Sequence, residues 1–232
     1  MTGAAFAHRA MIAAVARALG PDLLARMAFL GGCATGLLIM DELTRESVRY
    51  TEDVDLVVAA VSSGQWAQLE STLRKRGFRS SPEDEIICRM RLDTLIVDFM
   101  PTVEAVLGFT NRWYALALET AEWYPLTPDL RIRLVIPALF TATKLEAYRG
   151  RGQGNLLESR DIEDLINLFN GRDDIVKQID AAAGEVRCYI ADAIAGLLKK
   201  SDFEYAIQGN LRDHAREAVL FERLEAVAVM TR

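Results

Sequence analysis

The stretch Arg49-Tyr50-Thr51-Glu52-Asp53-Val54-Asp55-Leu56-Val57-Val58 places two carboxylates two residues apart at the head of an apolar, β-branched run. Such a run favours a strand, in which residues i and i+2 project from one face, so Asp53 and Asp55 stand side by side. Paired carboxylates repel each other unless a cation lies between them, and hard oxygen donors suit Mg2+ or Mn2+. A solvated strand end is the plain alternative for an Asp-x-Asp pair. A third acid, Asp98, lies in Leu95-Ile96-Val97-Asp98-Phe99-Met100, where a carboxylate is costly unless it is paired or bound to metal; a single acid at a strand edge is the plain alternative. Three carboxylates from two strands would suit two divalent ions, which lie about 3.5–4 Å apart in two-metal sites.

Four further features could act with them. Gly31-Gly32-Cys33-Ala34-Thr35 follows an apolar strand and precedes a helix. Glycines there let the backbone approach a phosphate, and the helix start offers free N–H groups; a tight strand-to-helix turn would use the same residues. Arg49 and Thr51 lie just upstream of the acidic pair, one a phosphate-binding cation or surface arginine, the other on the face of Asp53 and Asp55 if the strand starts early. Lys144 sits in the apolar helix Leu139-Phe140-Thr141-Ala142-Thr143-Lys144-Leu145, as a functional ammonium or a snorkelling side chain. Arg160-Asp161-Ile162-Glu163-Asp164-Leu165 opens the next helix, where Asp161 also favours the helix N-terminus.

The elements that must carry these residues follow from periodicity and breakers. A helix is predicted over 4–18, ended by Gly20-Pro21, then a buried strand at Ala28-Phe29-Leu30 and a helix from about Ala34 to Leu43. Val54–Ala60 reads as a strand, Ser63–Arg76 as a helix with Trp66, Leu69 and Leu73 on one side, and Ile86–Arg91 and Thr94–Met100 as adjacent strands turning near Asp93. Between Asn111 and Pro137, aromatic and β-branched residues broken by Pro125 and Pro128 read as two or three strands. Ala138–Tyr148 and Ser159–Phe169 read as helices, the second capped by Ser159, with a glycine-rich loop at 150–154 between them. Everything from Asp173 onward reads as helical, with breaks near Gly184, Ser201 and Gly209. The expected organisation is α+β: a mixed α/β domain over 1–136 and a helical domain over 137–232.

Bulk properties narrow the function classes. A chain of 232 residues, 51% hydrophobic and 26% charged, is that of a globular protein without an apolar run of membrane-spanning length. Three scattered cysteines offer neither a disulfide framework nor a zinc site and suit a reducing cytoplasm, and two histidines argue against histidine-cluster chemistry. A net charge of −6 opposes indiscriminate nucleic-acid binding but leaves room for local basic surfaces. Two are candidates: Arg74-Lys75-Arg76 with Arg79, and Arg149-Gly150-Arg151.

Taken together, Gly31-Gly32-x-Ala34-Thr35, Arg49-Tyr50-Thr51-x-Asp53-x-Asp55-Leu56, Asp98, Lys144-Leu145-x-Ala147 and Arg160-Asp161-x-x-Asp164-Leu165 resemble the AbiEii-type nucleotidyltransferase toxins. These belong to the superfamily that includes polymerase beta. The resemblance spans roughly residues 28–170; Cys33 departs from the small hydroxylated residue the family often has. It implies a nucleotidyltransferase fold: a short mixed sheet flanked by helices, then a helical domain closing the cleft. It implies that Asp53, Asp55 and Asp98 bind Mg2+ or Mn2+, with Asp98 also a candidate base. Gly31, Gly32 and Thr35 would cradle an NTP with Arg49 and Thr51 nearby, Lys144 would meet the phosphates, and Asp161 would support Lys144 or the acceptor. The expected activity is transfer of NMP from an NTP to an acceptor hydroxyl, with the 3′ end of tRNA the leading acceptor. The implied setting is a cytoplasmic toxin with a cognate antitoxin and no membrane partner. A small-molecule or protein acceptor, and a nucleotide-binding module without turnover, are the alternatives the residues leave open.

Overall fold

The structure is a computed structural model that describes residues 3–59, 62–82, 84, 87–104, 110–151 and 155–230. Along the chain run α1 (Ala4–Leu24), β1 (Met27–Leu30), α2 (Gly31–Leu38), α3 (Glu42–Ser47), β2 (Asp53–Val58), α4 (Ser63–Lys75), β3 (Arg89–Leu92) and β4 (Leu95–Pro101). There follow α5 (Tyr114–Glu119), β5 (Glu122–Thr127), β6 (Leu130–Leu134), α6 (Pro137–Gly150), α7 (Arg160–Gly171) and α8 (Ile175–Asp180). The chain finishes with α9 (Gly184–Leu198), α10 (Ser201–Asn210), a 3-10 turn (His214–Arg216) and α11 (Glu217–Ala228). This is an α+β protein, and no described helix is long and apolar enough to cross a membrane.

Two compact units divide the chain, Met1–Ala34 with Tyr50–Ile136 and Thr35–Arg49 with Pro137–Arg232. The first is built on a six-stranded mixed sheet in the order β3-β4-β2-β1-β6-β5. β1 pairs antiparallel with β2 and parallel with β6, while β2 pairs parallel with β4. Val54, Leu56, Val57, Val58, Val97 and Phe99 are all buried, as central strands of an apolar sequence require. Phe78 meets Phe99 edge-on with ring centroids 5.4 Å apart, and Leu73 of α4 is fully buried in the same unit. α1 lies on β1, β2, β5 and β6, and α5 on β1 and β2.

The second unit is helical, with α6 packed on α7 and α9, and α11 on α9 and α7. Phe140, Phe169, Phe203, Ile190 and Leu220 form its core. The segment Thr35–Arg49, which the sequence placed in the first domain, groups with this unit. The cause is hydrogen bonding at the end of α7. The amides of Met40 and Asp41 donate to the Gly171 carbonyl at 2.8 and 2.9 Å. The Arg172 guanidinium donates to the Leu38 carbonyl at 2.9 Å, and the Asn170 amide to the Thr44 hydroxyl at 3.1 Å.

Several elements differ from the periodicity reading. α1 resumes after Gly20, whose φ of +73° breaks the helix while Pro21 opens a further turn. The helix expected from Ala34 to Leu43 is two helices; the first begins at Gly31, and Asp41 caps the second by accepting from the Thr44 amide. Tyr114–Glu119 is helical rather than extended: Ala115 to Glu119 are all strong helix formers, and the helix buries Ala117 and Leu118. β5 contains Pro125, which an edge strand accepts because one row of its N–H groups has no partner strand. β3 starts at Arg89; Ile86 and Ala60, expected in strands, lie outside the described residues, as do residues 152–154 of the glycine-rich loop.

Candidate metal centre

Strand register brings the acids together. Asp55 is aligned with Leu30 of β1 on one side and with Asp98 of β4 on the other, and Asp98 is aligned in turn with Arg89 of β3. One row across four strands therefore reads Leu30, Asp55, Asp98, Arg89, and aligned residues on paired strands point to the same face. Asp53 lies on that face two residues before Asp55. One carboxylate oxygen from each of Asp53, Asp55 and Asp98 lies within 4.8 Å of the other two. Oxygens on opposite sides of one magnesium ion are about 4.2 Å apart, and about 5 Å for calcium. The spacing and the all-oxygen donor set fit a hard divalent cation.

The surroundings hold each acid. Asp98 is 5% exposed and is gripped by a fork: Arg89 Nε donates to Oδ1 and Nη2 to Oδ2, both at 2.8 Å. Those bonds also hold the Arg89 guanidinium above its ordinary value, against the opposing effect of burial. A carboxylate has about four lone-pair sites, so a cation can still reach Asp98 beside Arg89. The buried Thr51 hydroxyl donates to Asp53 Oδ1, and the Thr51 amide donates to Nε2 of buried His8 at 3.0 Å. His8 stacks on Tyr50 with ring centroids 5.6 Å apart. Thr51 lies just outside β2 and meets Asp53 through its hydroxyl, rather than by sharing the strand face.

Gly31 closes the site against β1. Its φ is +75°, and a Cβ built there would fall 1.8 Å from Asp55 Oδ2. The Asp55 carboxylate occupies the space a side chain would take, so the residue must be glycine. Gly32 and Cys33 are buried immediately after it. Burial first, then the carboxylates of Asp55 and Asp53, push the Cys33 thiol far above its ordinary range. Cys88 is pushed up to about 12, again by burial first and then by Asp98.

The remaining candidates belong to the second unit, where Thr35 is fully buried. Lys144, 8% exposed, places Nζ 2.5 Å from Asp164 Oδ2 and 3.2 Å from Asp161 Oδ1. Arg49 pairs with the same Asp164 at 3.3 Å and with Glu163 at 3.1 Å, and Arg151 donates to Asp161 Oδ2 at 2.6 Å. Asp164 has no exposed surface, and its Oδ1 has no hydrogen-bond partner among the described residues. Glu163 is raised above its ordinary value, chiefly by burial, with Arg49 opposing. Asp161, expected to support Lys144 or the acceptor, is ion-paired with Lys144, and the shorter contact to Lys144 comes from Asp164. Of the two basic stretches, Arg149 lies over the Tyr189 ring at 5.7 Å and Arg151 is bound to Asp161. Arg74 is paired with Glu70 at 2.8 Å.

Arg89 was missed in the sequence although the signal was there. A hairpin turning at Asp93 pairs Leu92 with Leu95, and counting back sets Arg89 opposite Asp98. His8 carried no such signal, since its partner Thr51 is 43 residues away in the chain. In comparisons with known proteins, the chain matches no family model and no curated protein.

Proposed function

We propose that this protein is a metal-dependent nucleotidyltransferase with a polymerase-beta-like fold, moving NMP from an NTP to an acceptor hydroxyl. One observation carries the reading: strands β2 and β4 bring Asp53, Asp55 and Asp98 within 4.8 Å, beside a glycine at the start of a helix. A divalent ion held there would offset triphosphate charge and polarise the reacting oxygens. In the reaction, the acceptor oxygen bonds to the α-phosphorus as the bond to pyrophosphate breaks, and the acceptor proton leaves to a base or to solvent. The chain's own contribution is positioning. Thr51 orients Asp53, Gly31 leaves room for Asp55, and Arg89 orients Asp98. Lys144 is the phosphate contact by family resemblance, held by Asp161 and Asp164. The acceptor we favour is the 3′ end of tRNA, in the setting of a toxin with its antitoxin. That part rests on the resemblance alone.

The test is incubation with Mg2+, each labelled NTP in turn, and total tRNA, followed by mass spectrometry of the RNA, the protein and candidate small molecules. Transfer to tRNA that is lost in Asp53→Ala and in Asp55→Ala is the expected result. Transfer that survives both substitutions would sink the assignment. Label on protein or on a small molecule alone would move the acceptor away from RNA.

A further inference from the structure

Arg89 does more than complete the packing of β3. The triad carries a formal charge of −3 in a space of 4.8 Å, and the guanidinium bonded to Asp98 reduces the local total to −2. Of the acids near Arg89, Asp98 and Asp53 belong to the triad, and the third, Asp84, already takes a two-bond fork from Arg91 at 2.7 and 3.1 Å. Arg89 is thus committed to Asp98, with only 22% of its side chain exposed. We infer that Arg89 is the built-in counter-cation of the triad: it stabilises the metal-free site and holds down the site's affinity for a divalent ion. This deepens the proposed function and rests on its metal site.

The direction of the effect follows from which influence is larger. The fork orients Asp98, which would favour metal binding, but Asp98 is a short side chain on a paired central strand and is 5% exposed. Its position changes little without the fork. A fixed positive charge bonded to a ligand oxygen repels a divalent ion at close range and in a poorly screened site. Charge therefore outweighs orientation. Removing it leaves three uncompensated carboxylates, so the metal-free fold is weakened and a divalent cation is bound more tightly.

The experiment is titration of the full-length protein with Mn2+ in the absence of nucleotide, read by electron paramagnetic resonance of free Mn2+, with thermal melts in EDTA and in Mn2+. Arg89→Gln should bind Mn2+ about tenfold more tightly than wild type, as expected for loss of one charge at contact distance. It should melt lower in EDTA and gain more from Mn2+. Arg89→Lys, which keeps the charge, should stay within about threefold of wild type. If R89Q does not fold in EDTA, recovery of its circular dichroism by Mn2+ supports the inference, and no recovery while R89K folds overturns it. R89Q binding no tighter than wild type, or R89K matching R89Q, overturns it also. Wild-type binding of Mn2+ that is lost in Asp53→Asn keeps the metal site standing in those cases. If neither wild type nor R89Q binds Mn2+, the metal reading itself has failed.

Discussion

Replacing Gly31 by alanine should damage both the fold and the candidate metal centre. The backbone at Gly31 has a φ of +75°, where an L-residue is disfavoured by about 1–2 kcal/mol. The new methyl would also lie 1.8 Å from Asp55 Oδ2, 2.5 Å from Cγ and 2.7 Å from Cβ. Because Asp55 Cβ is itself too close, no side-chain rotation of Asp55 relieves the overlap, and β2 or the start of α2 must shift. Overpacking of this kind adds about 1–3 kcal/mol, for a total loss of about 2–5 kcal/mol. Urea denaturation in EDTA measures it. Displacing Asp55 from its two partners should also weaken Mn2+ binding about 10–100-fold, the usual effect of disturbing a group that supports a metal ligand. Gly196 is the internal control: it lies within α9, and nothing stands within 4 Å of an added Cβ. Gly196→Ala should stabilise by about 0.5–1 kcal/mol. A Gly31→Ala protein within about 0.5 kcal/mol of wild type and with unchanged Mn2+ affinity would refute the reasoning.

The buried ion pairs of the second unit should rank by exposure. Asp164→Asn, at a carboxylate with no exposed surface that pairs with Lys144 and Arg49, should destabilise by about 3–5 kcal/mol. Arg151→Ala, whose side chain is 71% exposed, should stay within about 1 kcal/mol; urea denaturation giving the reverse order would contradict the burial argument. Tyr189 donates to Glu146 at 2.6 Å, and burial with that bond raises its phenol from 10.0 to about 12. The folded state keeps the proton longer than the unfolded state, so this contribution is constant below pH 10 and is lost as pH rises towards 12. Alkaline denaturation should show that fall in wild type and a shallower one in Tyr189→Phe. Cys33 and Cys88 are buried with raised thiols, whereas Cys188 is partly exposed. Native protein at pH 8 should therefore react rapidly with an aromatic disulfide reagent at Cys188 alone, and with all three thiols after denaturation.

Local pattern determined a good deal about this protein. Apolar runs marked β1, β2 and β4, helical periodicity marked α4, the Ser159 cap marked α7, and strand periodicity placed Asp53 and Asp55 on one face. These depend on neighbours within a few residues, which a sequence displays directly. Asp98 was legible because a carboxylate in an apolar strand needs a partner. Which partner it has was decided only by register: β4 lies parallel to β2 and antiparallel to β3, setting Asp55 on one side of Asp98 and Arg89 on the other. The membership of Thr35–Arg49 in the second unit depends on carbonyls and side chains at the end of α7, more than 120 residues away in the chain. The pairing of Arg49 with Asp164, the carboxylate that also holds Lys144, has the same origin, since the two residues lie 115 positions apart. The sequence alone thus supplied the acids and the reason they need a cation. Tertiary structure decided which cation the chain itself provides, because hydrogen bonds and ion pairs act at a few ångströms, whatever the separation along the chain.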